Sequence, residues 1–291
     1  MSPSVTTKRR FGLWKHAGTD AKLLLVAIPL LLWSLLPIYH IMLFAFAGKD
    51  SAFTGRLWPD PLTLNNFNIA LNQKHFYLEH FWAQIFNSLW IALSVGVITL
   101  FIATSAAFAI SRLRVKGGRT VMNLALLTYF IPAAFLAVPM YKAMGTYGLL
   151  NNRWSLVCAM VALATPYAIW VLKQASDKLP KELDEAAIVD GATPFQLFRL
   201  VYLPLIRPSM VAIGIYALLL SWNEYLYGFL LLSKEDTVTL AVSLGHFLSA
   251  DDSPWELLMA TGLIYSIPPA AIYYVFKRYM VSGLTAGAVK S

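Results

Sequence analysis

Long uncharged stretches alternate with short polar ones along this chain. The uncharged runs cover residues 23–48, 81–111, 120–141, 154–172 and 257–276, and a sixth, 208–233, is interrupted only by Glu224. Each approaches or exceeds the roughly 20 apolar residues that cross the hydrocarbon core of a bilayer as a helix. The pattern predicts six membrane-spanning helices and leaves no room for a separate soluble domain. One polar gap is unlike the others. DEAAIVDGATPFQLFRLVYLPLIRP, Asp184–Pro208, carries three acids, a double alanine, a glycine and three prolines between the fourth and fifth runs.

Composition sharpens the membrane assignment. Of the 291 residues, 58% are hydrophobic and 13% charged, whereas soluble domains carry roughly 25% charged residues. The Lys and Arg residues set the orientation, because cytoplasmic segments are enriched in them. One side holds Lys8, Arg9, Arg10, Lys15 and Lys22, then Arg112, Arg114, Lys116 and Arg119. It also holds Lys173, Lys178, Lys181, Arg199 and Arg207, and finally Lys277, Arg278 and Lys290. The other side has only Lys49, Arg56, Lys74, Lys142, Arg153 and Lys234. Both termini, residues 1–22 and 281–291, are therefore expected in the cytoplasm, as tails of a 23–280 membrane-spanning domain. The net charge of +8 follows from this asymmetry. A nucleic-acid partner would need a basic soluble surface, and the chain offers none.

Ala45-Phe46-Ala47 resembles a signal cleavage site, but the preceding apolar run of about 24 residues exceeds the 7–15 of a signal core, so it reads as a retained span. The single Cys158 excludes an internal disulfide and reads as a small apolar filler in the fourth span. Residues 48–84 form the longest outward loop, with a turn at Trp58-Pro59-Asp60-Pro61 and a surface helix from Asn65-Asn66-Phe67. Residues 234–256 read as an acidic outward loop, with Glu235, Asp236, Asp251, Asp252 and Glu256. Ala103 with Ala107, and Ser105 with Ala109, permit close helix approach in lipid. Pro132, Pro139, Pro166 and Pro268-Pro269 should kink or unwind their spans. Lipid tolerates such breaks only where neighbouring helices or a cavity satisfy the freed carbonyls. That suits a bundle that moves, though passive kinks would look the same.

The unusual gap reads as two short helices. Pro180 suits a first turn, and Glu182, Asp184 and Glu185 place negative charge at the positive end of a helix. Leu183, Ala186, Ala187 and Asp190 follow helical spacing and share one face. Gly191 supplies the stop. Thr193, Pro194 and Gln196 form a capping box that restarts the chain, with Phe195, Phe198 and Tyr202 along one face. Pro204 and Pro208 are expected to end this second helix before the fifth span. A helix lying on lipid headgroups would carry Lys and Arg opposite bulky apolar residues. Acids and alanines fit the groove of a partner protein better.

At these residues the chain resembles the "EAA" loop of binding-protein-dependent ABC importer permeases. The matching positions are Glu185-Ala186-Ala187, Gly191, Val201 and Leu203-Pro204, with Val201 where the pattern usually has Ile. Asn65-Asn66-Phe67 with Phe86-Asn87-Ser88-Leu89 resembles the entry to the second span in sugar importers. The ending Tyr279–Lys290 is similar to the tail of the maltose-type (MalG-like) subunit. The resemblance implies an all-α integral membrane protein with the ABC type I importer fold: six spans and a cytoplasmic coupling-helix hairpin in the loop 174–208. It implies that Glu185, Ala186, Ala187, Asp190, Gly191, Phe195, Leu203 and Pro204 couple the bundle to an ATPase. The partners it implies are a second related permease subunit, two ATPase subunits, an extracytoplasmic solute-binding protein and a carbohydrate substrate in a lipid membrane. The tail Gly283–Lys290 would reach toward the ATPase pair.

No Walker A run G-x-x-x-x-G-K-[S/T] occurs, so ATP and Mg are expected on the partner subunits and no cofactor on this chain. His75 and His80 flank Glu79 at a spacing that does not match a zinc helix, and no metal site is expected. Glu224 is the one carboxylate within a span, in Trp222-Asn223-Glu224-Tyr225. An ionisable group at membrane depth is expensive and usually faces a cavity or partner. Two readings stand: a substrate pathway for a sugar held by acid, amide and aromatic groups, or an interfacial aromatic belt with a structural glutamate bonding its own backbone. An ion-coupled secondary transporter is the alternative class. It would carry several intramembrane ionisable residues and internal repeats, of which this chain has one and none.

Overall fold

The computed structural model describes residues 17–49, 53–248 and 253–285, and side chains between 25 and 277 within those ranges. Most of the N-terminal tail, residues 1–16, lies outside the described residues. So do Asp251, Asp252 and residues 286–291 of the C-terminal tail. Among the described residues the regular structure is helical, apart from one antiparallel bridge between Ala47 and Leu62. The helices are α1 (Ala17–Ala45), α2 (Asn65–Leu71), α3 (Phe81–Ser111), α4 (Gly118–Leu127), α5 (Ala133–Thr146) and α6 (Arg153–Asp177). They continue with α7 (Glu182–Val189), α8 (Pro194–Gln196), α9 (Leu203–Trp222), α10 (Leu226–Leu231), α11 (Leu240–Phe247) and α12 (Trp255–Thr285).

Five segments are long and apolar enough to cross a membrane as continuous helices. The expected third span is instead broken: α4 and α5 meet at 107°. The cause is local. Pro132 caps α5, and the residue before a proline is pushed out of the helical region. Ile131 accordingly has extended backbone, φ −90° and ψ 119°. The prolines at 139, 166, 268 and 269 stay inside their helices.

Three helices, α3, α6 and α9, pack on one another and form the centre. Their close approach follows from small residues. Gly96 faces Gly214, where a Cβ would lie 2.9 Å from Leu100 Cδ1. Ala103 and Ala107, expected as a packing face, are fully buried against Ala168, Leu172 and Ile213. The α12 helix joins through α9, and α1 packs on α12 at the periphery with most of its side chains from Leu25 to Ile38 exposed. Cys158, expected as filler, is exposed on α6 instead.

The expected outer end is tied together by side-chain amides. Asn66 on α2 donates to the carbonyls of Ala45 at 3.0 Å and Ala47 at 2.9 Å, so the alanines that resemble a cleavage site are buried anchors for the loop after α1. On α3, Gln84 donates to Glu235 O at 3.1 Å, and Asn87 donates to Asp236 O at 2.8 Å and Val238 O at 3.0 Å. Ser88 Oγ accepts from the Leu240 amide at 3.0 Å. The segment expected as an acidic loop therefore contains a pinned, buried helix, α11, whose Leu240, Val242 and Phe247 join the core.

The expected inner end departs from the predicted hairpin. Pro204 and Pro208 do not end a helix. The chain runs helically from Pro194 to Trp222, through a π-helical turn at Leu197–Tyr202. Such a wide turn re-satisfies carbonyls freed by a proline at membrane depth. The second helix of the pair is thus the inner end of the fifth span.

Candidate functional site

Helix α7 begins with Glu182, Asp184 and Glu185 in its first turn, where carboxylates complement the helix dipole. Pro180 lies before it, outside the helix. It ends in a Schellman motif: the Gly191 amide donates to Ile188 O at 3.0 Å and the Ala192 amide to Ala187 O at 2.9 Å. Gly191 has φ +81°, with nothing near where a Cβ would be, so glycine is required here by backbone conformation and not by space. Thr193 then closes the capping box. Its amide donates to Gln196 Oε1 at 2.8 Å, and the Gln196 amide donates to Thr193 Oγ1 at 3.3 Å.

The alanine face is divided. Ala187 turns inward onto Phe108, Leu197, Tyr202 and Ile206, while Leu183, Ala186 and Asp190 are exposed. The outward stripe is Glu182, Glu185, Ala186 and Val189, spaced i, i+3, i+4 and i+7, with Val189 87% exposed. Three of its members, Glu182, Glu185 and Val189, are absent from the face expected from spacing. The side of the helix away from the stripe carries an ion pair. Asp184 Oδ2 lies 2.8 Å from Arg112 Nη1, with only 5% of the Arg112 side chain and 16% of the Asp184 side chain exposed. Arg112 caps the inner end of α3 and also donates to Leu179 O at 3.3 Å. Beside it Ser111 hydrogen-bonds Ser176, tying α3 to α6.

Of the remaining expected coupling residues, Phe195 is 68% exposed, away from Phe198 and Tyr202, which stack on each other against Phe108. Leu203 is partly buried in the same cluster. Pro204 is exposed in a groove with Arg199, Arg207 and Met210.

The expected substrate segment forms the break between α9 and α10. Its four residues do not act as a group. Trp222 is fully buried, with its ring stacked 4.9 Å from Tyr265, whose hydroxyl donates to the Trp222 carbonyl. It belongs to the core because the apolar face of α9 continues to its last residue. Asn223 is exposed and donates to Leu219 O at 3.0 Å. Glu224 is half-buried, and its Oε1 accepts the Tyr227 amide at 2.8 Å, so it serves the first turn of α10. Tyr225 is exposed, stacks on Phe229, and passes so close to Gly245 that a Cβ there would lie 2.3 Å from its ring. Asn223 and Tyr225 are the members with free surface.

Taken together these features define a multi-pass helical membrane protein with a small exposed helix at one end and an interrupted span within the bundle. Residues 100–285 match the family described as binding-protein-dependent transport system inner membrane components, and the chain belongs to that family. It is 30% identical over 89% of its length to the inner membrane ABC transporter permease protein YcjP of Escherichia coli K12, covering 92% of that protein. It is 30% identical to the trehalose transport system permease protein SugB of Mycobacterium tuberculosis, covering 89% of this chain and 93% of that one. To the trehalose/maltose permease MalG of Thermococcus litoralis it is 31% identical, over 92% and 96%. A crystal structure of a bacterial ABC transporter that imports the acidic polysaccharide alginate shares the fold. It has a TM-score of 0.73 at 23% identity, with 96% of this chain and 99% of that one covered.

Proposed function

We propose that this chain is the membrane-spanning permease subunit of an ATP-driven importer for a sugar or sugar derivative, delivered by an extracytoplasmic binding protein. A second related permease subunit completes the pathway, and two separate ATPase subunits, which carry ATP and Mg, dock on α7. The chain itself performs no catalysis. Both termini lie in the cytoplasm, a reading the Lys and Arg asymmetry supports. Its membership of a binding-protein-dependent family removes support for ion-coupled transport, and Glu224, which caps its own backbone, is not left over to carry a proton.

One observation carries this reading. The outward stripe of α7 is exposed although the helix is capped at its C-terminal end and tied to the bundle, so an anchored element presents an acidic and apolar face with no partner among the described residues. ATP-driven closure of the ATPase pair would move α7, and with it α3, α6 and α9. Asn223, Glu224 and Tyr225 are proposed to border the substrate path at the α9–α10 break, whereas Trp222 supports them from behind. The test is Ala186→Trp. A bulky ring in the centre of the stripe should lower uptake by roughly tenfold while ATP turnover persists, the size of an ordinary coupling free energy. Unchanged uptake per ATP would remove α7 as the docking element.

A further inference from the structure

We infer that Arg112 is a positioning residue for coupling: its ion pair with Asp184 fixes the rotation of α7 about its own axis, and so selects the face offered to the ATPase. This inference rests on α7 being the docking helix. Among the described residues, several contacts bear on how the helix is held. Ala187 contributes a single methyl group to the Phe108–Tyr202 cluster, and a methyl can slide without losing much contact. The Leu179 carbonyl, bonded by Arg112, fixes where the chain enters the helix but not its rotation. The Arg112–Asp184 contact is a close Nη1–Oδ2 approach of 2.8 Å between charges that lie away from water, and rotation of the helix would separate them. The Nε of Arg112 is buried without a hydrogen-bond partner, so the guanidinium sits largely withdrawn from solvent and its charge is answered by Asp184. Turning α7 by one residue, about 100°, would break the pair, strand the arginine, and exchange the Glu182–Glu185–Ala186–Val189 stripe for one bearing Leu183 and Asp190.

The experiment uses the whole complex purified through its ATPase subunit. A photo-crosslinking benzoylphenylalanine is placed at Val189, on the stripe, or at Leu183, beside it. In the otherwise unaltered chain, capture of the ATPase from position 189 should exceed that from position 183. Arg112→Gln and Asp184→Asn should each lower the 189-to-183 ratio by roughly fivefold or more, within the range of coupled equilibria. The exchanged pair Arg112→Asp with Asp184→Arg should restore it. A ratio unchanged in both single variants overturns the inference alone. So does a swap that fails to restore the ratio. Loss of complex assembly in both single variants also overturns it, in favour of a purely structural tie. Absence of any ATPase capture from position 189 in the unaltered chain removes the docking reading itself, and the inference with it.

Discussion

The two ends of the bundle are held by the same helix in different ways. At the outer end, Gln84, Asn87 and Ser88 of α3 reach the backbone of residues 235–240 through neutral hydrogen bonds. At the inner end, Ser111 and Arg112, at and just beyond the last residue of α3, reach α6 and α7, and the decisive contact is a charge pair. The helix has 31 residues and is about 45 Å long, so it ties both surfaces together like a shaft. Neutral amides spread the load over several bonds, each of modest net worth. A single withdrawn ion pair concentrates it: removing one partner leaves a charge with nothing to answer it. The outer loop is therefore built to stay in place under small changes, and the inner helix is built to keep one orientation or lose it.

The largest expected effect comes from reversing the inner charge. Asp184→Lys places a like charge against Arg112, and the folded complex should lose about 3–5 kcal/mol, the cost of breaking a buried pair. A thermal melt of the purified complex reads this directly. A melt indistinguishable from the parent would mean the pair is solvated in the membrane, and the contrast between the two ends would disappear. At the outer end, Asn87→Leu leaves the carbonyls of Asp236 and Val238 without their donor, at about 1–3 kcal/mol for each buried group left unmade. Faster hydrogen exchange confined to residues 235–248 is the expected signature, with the inner end unaffected. Exchange that rises equally at α7 would show that α3 transmits disturbance between its ends, which sharpens the shaft picture. The smallest effect is expected at Glu224→Gln. The glutamine oxygen still accepts the Tyr227 amide, so the stability change should stay within about 0.5 kcal/mol, as for a surface substitution. Uptake should nonetheless weaken through a higher apparent half-saturation concentration. Unaltered uptake would leave Glu224 as a cap alone.

Much of this molecule was legible in the chain. The uncharged runs located five continuous helices, and the caps at Gly191 and Thr193–Gln196 formed as their residue types dictate, because capping is settled within a few positions. The proline at 132 foretold a break, though not its 107°. Other features were hidden. Helix α11 looked like loop because its acidic flanks dominate the local composition, while the donors that bury it sit on α3. Trp222 looked like a pathway residue beside Asn223 and Glu224, yet it stacks on Tyr265 from α12.

Sequence alone determined the membrane class, the number of apolar segments and the short helix α7 with its ends, since periodicity and capping act over one or two turns. Tertiary structure decided which side of that helix looks outward. Spacing admits several faces of an eight-residue helix, and only the placement of Arg112, delivered by a distant span, makes one of them lowest in free energy.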